Sequence, residues 1–117
     1  MKSYTDLEQS RKLTEILPHE SADMRWYYKY NEGDKPQLSV CDGSRYYIPC
    51  WSLAALLETL PLEDETHKQT DGHKIYYYVE SYMKRMENEI YLSSERYENL
   101  VDACYEMIIK LHEQKLL

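Results

Sequence analysis

Residues 99–117 read NLVDACYEMIIKLHEQKLL. Across this stretch and just before it, Tyr97, Leu100, Val101, Cys104, Met107, Ile108 and Leu111 recur at steps of three and one. They trace one face of a 3.6-residue helix. Asp102, Glu106, Lys110 and Glu113 fall on the opposite face. Asn99 stands where an N-cap is needed, and the Asp102 carboxylate, three residues on, can reach back toward it. His112, near the C-terminal end, suits the helix dipole. Burying each large side chain of the stripe contributes about 1.5–3 kcal/mol. Ordering the backbone costs about 1–2 kcal/mol per residue. Such a helix needs a surface to lie on, and the rest of the chain must supply it.

Immediately upstream, KIYYYVESY (74–82) and NEIYLSS (88–94) read as two strands joined across MKRME. Val79, Met83, Met86 and Ile90 also fall at helical spacing, but three consecutive tyrosines favour the hairpin. Residues 62–73, LEDETHKQTDGH, are polar and acidic and read as an exposed loop. Before them, Ser52 caps a second helix with an apolar face of Leu53, Leu56, Leu57 and Leu60, closed by Pro61. Trp51 is placed to staple onto Leu56.

From Met24 the period is two: Met24, Trp26, Tyr28 and Tyr30 alternate with Arg25, Tyr27 and Lys29. NEGDKP (31–36) is a loop, QLSVC (37–41) a second strand, and SRYYI (44–48) a third, folded back by Asp42-Gly43 into a meander. The first helix opens with a Thr5/Glu8 capping box, carries Leu7, Leu13, Ile16 and Leu17, and stops at Pro18. The expected fold is α+β: a single small domain, 1–117, in the order α-β-β-β-α-β-β-α. An antiparallel sheet of four to five strands carries three helices mainly on one face. Its inward set is Trp26, Tyr28, Leu38, Val40, Tyr46, Ile48, Ile75, Tyr77, Val79, Ile90 and Leu92.

The chain carries a net charge of −7, with a sequence pI near 5.1. That opposes non-specific binding to nucleic-acid phosphates or anionic membranes. Cys41, Cys50 and Cys104 are odd in number and lack C-x-x-C spacing, as in reduced thiols of a cytoplasmic protein. No run reaches the roughly 18 apolar residues of a membrane span. MKSYTDLEQSRK lacks the apolar core of a signal peptide. The expected location is therefore cytoplasmic.

The stretches ESADM (20–24), PCWSLAALLETLP (49–61) and DACYEMIIKLHEQKLL (102–117) resemble a family of short uncharacterised proteins from gut anaerobic bacteria and their phages and mobile elements. The resemblance implies an accessory protein of a mobile element acting in the cytoplasm. It carries no catalytic residue with it.

No motif in the sequence assigns a catalytic residue, a cofactor or a metal site. Glu63, Asp64, Glu65, His67, Asp71 and His73 are metal-ligand types, but without the tight spacing a site requires, they read as a solvated loop. Cys50, near a helix start, has no base close in sequence. His19, His67, His73 and His112 are all distant from it. The chain has thirteen tyrosines and no phenylalanine, and tyrosine suits half-exposed positions on sheets and at interfaces. Alternation turns Arg25, Tyr27, Lys29, Arg45, Tyr47, Tyr76, Tyr78 and Tyr91 away from the helices, onto an outer face rich in the residues that interfaces favour. The expected function is a non-enzymatic module binding a protein partner, or itself, through that face. The alternative is single-stranded nucleic-acid binding by the same rings with Arg25, Lys29 and Arg45. A small cysteine-dependent enzyme built on Cys50 ranks last.

Overall fold

A computed structural model describes residues 2–28, 36–39 and 47–117. The elements run α1 (Leu7–Thr14), a 3₁₀ turn (His19–Ser21), β1 (Met24–Tyr28), β2 (Pro36–Ser39), β3 (Tyr47–Cys50), α2 (Leu53–Thr59), β4 (Asp64–Thr70), β5 (Ile75–Arg85), β6 (Asn88–Ser93) and α3 (Leu100–Glu113). The class is α+β, with three α-helices and two antiparallel sheets among the described residues. The expected 31–36 loop is described only at Pro36, and the Asp42-Gly43 turn, Lys29, Val40, Arg45 and Tyr46 lie outside the described residues.

The α3 stripe forms as its spacing requires. Val101, Cys104, Met107, Ile108 and Leu111 are fully buried, joined by Ala103, and Tyr97 and Leu100 pack at the margin. Asn99 caps the helix by accepting from the Asp102 amide at 2.8 Å, and its own side-chain amide donates back to the Asp102 carboxylate at 2.8 Å. The polar face is less open than its spacing suggests. Lys2 and Gln9 both reach the Asp102 carboxylate at 2.7 Å. Glu106 accepts from the Glu95 amide at 2.6 Å, and Lys110 donates to the Ser93 carbonyl at 2.7 Å. These flanking groups tie the N-terminal segment and the end of β6 to α3. Burial works to raise the Asp102 pKa, but its three side-chain donors outweigh it and hold the group below its ordinary value.

The surface under α3 is one face of β5. Val79 and Met83 are buried in the same cluster as the helix stripe, with Leu92 and Ile90 of β6 against its edge. Trp51, Leu56 and Leu60 bring α2 into this core, and Leu13 and Leu17 bring α1. Ser52 accepts from the Ala55 amide as expected of the cap. The α1 cap is one residue later than expected. Asp6 and Gln9 form the reciprocal box, and Thr5 is instead buried, 2.8 Å from the Ser10 hydroxyl and accepting from the Trp51 amide.

Two corrections concern the strands. Among the described residues, six strands form two sheets of three, in the orders β2-β1-β3 and β4-β5-β6, in place of one sheet of four to five. In the first, β1 is central, so the three strands are not a meander. Trp26 is paired with Leu38 on one side and Ile48 on the other, which centres the largest side chain of the strand. In the second, residues 64–70 are not a loop. They pair residue by residue with β5, from Asp64↔Ser81 to Thr70↔Ile75. The side chains of this edge strand are mostly exposed, so main-chain pairing with β5 holds it and no apolar period announces it.

Ile108 is fully buried, while Glu113 is exposed on the same helix. Ile108→Ala is expected to cost about 2–5 kcal/mol through the cavity it leaves, and Glu113→Ala to change little. Urea unfolding of the two variants checks this; equal midpoints would mean that α3 presents a different face.

Candidate functional site

The pairing of β4, β5 and β6 sorts their side chains onto two faces, because paired residues share a face and neighbours alternate. Val79, Ser81 and Met83 face the core. Tyr76, Tyr78, Glu80 and Tyr82 of β5 therefore turn the other way. Across the ladder they stand opposite Gln69, His67 and Glu65 of β4, and Ser93 and Tyr91 of β6. Tyr91 and Tyr82 are 60% and 51% exposed, and Tyr76 and Tyr78 are half-buried by their neighbours.

His67 lies flat on Tyr78, with centroids 4.7 Å apart and planes inclined by 15°. Its Nε2 points between two carboxylates, 3.6 Å from an oxygen of Glu65 and 3.6 Å from one of Glu80. Just after β6, Arg96 places its guanidinium 5.8 Å from the centroid of the Tyr78 ring. A cleft of about 370 Å³ opens beside it, bounded by Tyr78 and Tyr91, with Glu80 and Ser93 between them and Ser94, Glu95 and Arg96 along the rim. Arg96 also borders a second cleft of about 340 Å³, beside Tyr76, Gln69, Thr70 and Asp71. Further along, the Glu89 carboxylate beside the Tyr82 hydroxyl raises the pKa of that phenol. The face thus combines rings, several carboxylates, the Arg96 guanidinium and, opposite Glu89, Lys84.

Of the eight residues singled out from the sequence, Tyr76, Tyr78 and Tyr91 belong to this face. Arg25, Tyr27 and Tyr47 belong to the first sheet. There Tyr27 is paired with Tyr47, and the Arg25 guanidinium sits 4.3 Å above the Tyr47 ring centroid. One continuous sheet joining all eight is therefore not what the strands form. Lys29 and Arg45 lie outside the described residues. Sequence reasoning left out His67, Glu80, Tyr82 and Arg96. Tyr82 and Glu80 follow from continuing the alternation of β5 by two steps. His67 required β4 to be seen as a strand, and the signal for that was Asp71-Gly72. Asp71 accepts from the amides of His73 and Lys74 at 2.8 and 2.9 Å, and Gly72 takes a φ of +94°, in the region that favours glycine.

Other chemistry-bearing groups are placed differently. Cys50 is fully buried at the end of β3, its Sγ donating to the Thr5 carbonyl at 3.4 Å, and burial raises its pKa. Cys104 is buried in the core and pushed up to about 12 by burial, with the Asp64 carboxylate adding to the rise. Both are held as thiols, the opposite of an activated nucleophile. Strand alternation separates Asp64 from Glu65 and His67. Among the described residues no group of three or more His, Cys, Asp or Glu side chains is placed to hold a metal ion. Among those residues, too, no helix is long and apolar enough to cross a membrane.

Compared with protein-family models, with curated proteins and with solved structures, the chain has no match.

Asp64 marks the inner side of the same sheet. Both its carboxylate oxygens are buried without a hydrogen-bond partner. Burial raises its pKa, the nearby Ser81 hydroxyl works weakly against that, and Glu63 adds to the rise. A carboxyl raised in the folded state stabilises it fully below its unfolded pKa. That contribution is lost as pH rises through the folded value. Asp64→Asn is therefore expected to raise the melting temperature at neutral pH. The gain should shrink as pH falls toward the ordinary carboxylate range, and a pH-independent difference in thermal scans would contradict the assignment.

Proposed function

We propose that this chain is a non-enzymatic protein-interaction module whose recognition surface is the tyrosine-bearing outer face of the β4-β5-β6 sheet. It serves, in line with the family resemblance, as a cytoplasmic accessory protein of a mobile element or phage. The observation that carries the reading is the sidedness of β5. Val79 and Met83 are used up under α3, while Tyr76, Tyr78 and Tyr82 emerge on the side opposite the helix, together with Tyr91. Tyrosine offers a large, rigid contact area with two side-chain torsions to fix, so it loses little entropy on docking. Contiguous aromatic surface on a small domain more often meets something than scattered apolar residues do. Arg25, Tyr27 and Tyr47 supply a second, smaller patch of the same chemistry on the first sheet.

The test is site-specific photocrosslinking in cells, with a benzophenone side chain placed at Tyr91 or, as control, at Glu113 on the exposed face of α3. Protein adducts, with another protein or a second copy of the chain, are expected from position 91 and not from position 113. Adducts at both positions alike, or at neither, would contradict the reading. Adducts from position 91 that nucleases remove would replace it with single-stranded nucleic-acid binding.

A further inference from the structure

The cleft between Tyr78 and Tyr91 has a chemistry of its own. Its walls are two phenol rings, and between them stand Glu80 and Ser93, directly paired across β5 and β6. Glu95 adds a second carboxylate at the rim, against the single guanidinium of Arg96. Around the cleft, Glu65 adds a further carboxylate, while Glu89 stands opposite Lys84 on the same face, and the chain as a whole carries −7. A phosphate-bearing ligand would meet this field unfavourably, whereas a cation would be drawn to it. The rings already show what they accept. Arg96 lies over Tyr78, and on the other sheet Arg25 lies over Tyr47. A tyrosine face attracts a guanidinium or ammonium through its quadrupole, and more strongly as water is excluded. The cleft, about 370 Å³, is open to solvent and lined mainly by polar atoms, so it suits a side chain laid across it.

We infer that this cleft receives an arginine or lysine side chain of an extended basic segment of a partner protein. The inserted charge faces Glu80 and Glu95, and the stem packs against the Tyr91 ring. Arg96 keeps the far ring, Tyr78, occupied, so the incoming cation is directed to the Tyr91 side. The serine hydroxyls do not compete for the carboxylates: Ser93 donates to the Ser94 carbonyl and Ser94 to the Glu95 carbonyl. Glu80 already has the His67 Nε2 3.6 Å away, so the incoming charge shares that carboxylate with the imidazole. This inference rests on the outer face being a protein-binding surface, and specifies what that surface reads.

The experiment is fluorescence anisotropy with three labelled probes: a Gly-Arg repeat peptide, a Gly-Glu repeat peptide of the same length, and an oligodeoxythymidylate. The wild-type chain is compared with Glu80→Gln, Tyr91→Ser and Glu113→Gln. The arginine peptide alone is expected to bind, with an affinity that falls as salt is raised. Glu80→Gln and Tyr91→Ser should each weaken it by about tenfold. Glu113→Gln makes the same change in net charge far from the cleft and should leave binding as it is. Melting temperatures of all three variants should match the wild type, which separates loss of binding from loss of fold. Equal effects of Glu80→Gln and Glu113→Gln would reduce the binding to net charge and overturn the inference. So would equal binding of both peptides, or preference for the oligonucleotide. If crosslinks form at position 91 and the arginine peptide still shows no preference, the cleft assignment fails and the protein-binding surface stands. If neither is seen, both fall.

Discussion

The contact between the apolar stripe of α3 and the inner face of β5 constrains everything else in this molecule. Met107, Ile108 and Leu111 on the helix and Val79 and Met83 on the strand share one dry cluster, which also takes in Trp51 and Leu56 from the α2 region and Leu13 from α1. A strand has two faces and α3 occupies one, so the register of β5 is fixed. A slip by one residue would carry Val79 and Met83 into water and Tyr78 and Tyr82 under the helix. The polar residues flanking the stripe then lock the neighbours in place: Asp102 through Lys2 and Gln9, Glu106 through the Glu95 amide, and Lys110 through the Ser93 carbonyl. The last two anchor the end of β6 and the start of the segment carrying Arg96, and so also set one rim of the outer cleft.

The opposite face inherits its character from that constraint. Alternation leaves β5 with tyrosines and a glutamate on the outside, and β4 and β6 bring His67, Glu65, Tyr91 and Ser93 beside them. These contacts are polar-aromatic: a stacked imidazole, a guanidinium over a ring, and carboxylates around a histidine nitrogen. The proposed recognition role rests on this set of groups. Cys50 and Cys104, the two described thiols, are buried in packing, and burial raises the pKa of both.

How much of this was legible in the sequence follows from where apolar periodicity exists. The face of α3, the caps Ser52 and Asn99 and the β5–β6 hairpin are all carried by spacing, and each is found in the structure. The sidedness of Tyr76, Tyr78 and Tyr91 follows from the same alternation. β4 was invisible because DETHKQT buries almost nothing, and a strand held by main-chain pairing at a sheet edge leaves no hydrophobic trace. Its only announcement was the Asp71-Gly72 turn. The division into two sheets was likewise hidden. Pairing partners are chosen by geometry between strands, and Trp26 takes neighbours on both sides where a meander would have given it one. His67 on Tyr78 and Arg96 over the same ring are cross-element contacts that only the fold can bring together.

The central claim is that β5 divides cleanly into a face under α3 and a face open to solvent. Two neighbouring residues of β5 report on it: Met83 is 5% exposed, and Tyr82 is 51% exposed. Hydroxyl-radical footprinting of the free chain, read residue by residue, measures this directly. The division requires Tyr82 and Tyr91 to be oxidised rapidly while Met83 and Met107 are protected until the chain unfolds. Rapid oxidation of Met83 in the folded chain, or protection of Tyr82 and Tyr91 alongside Met107, would contradict it.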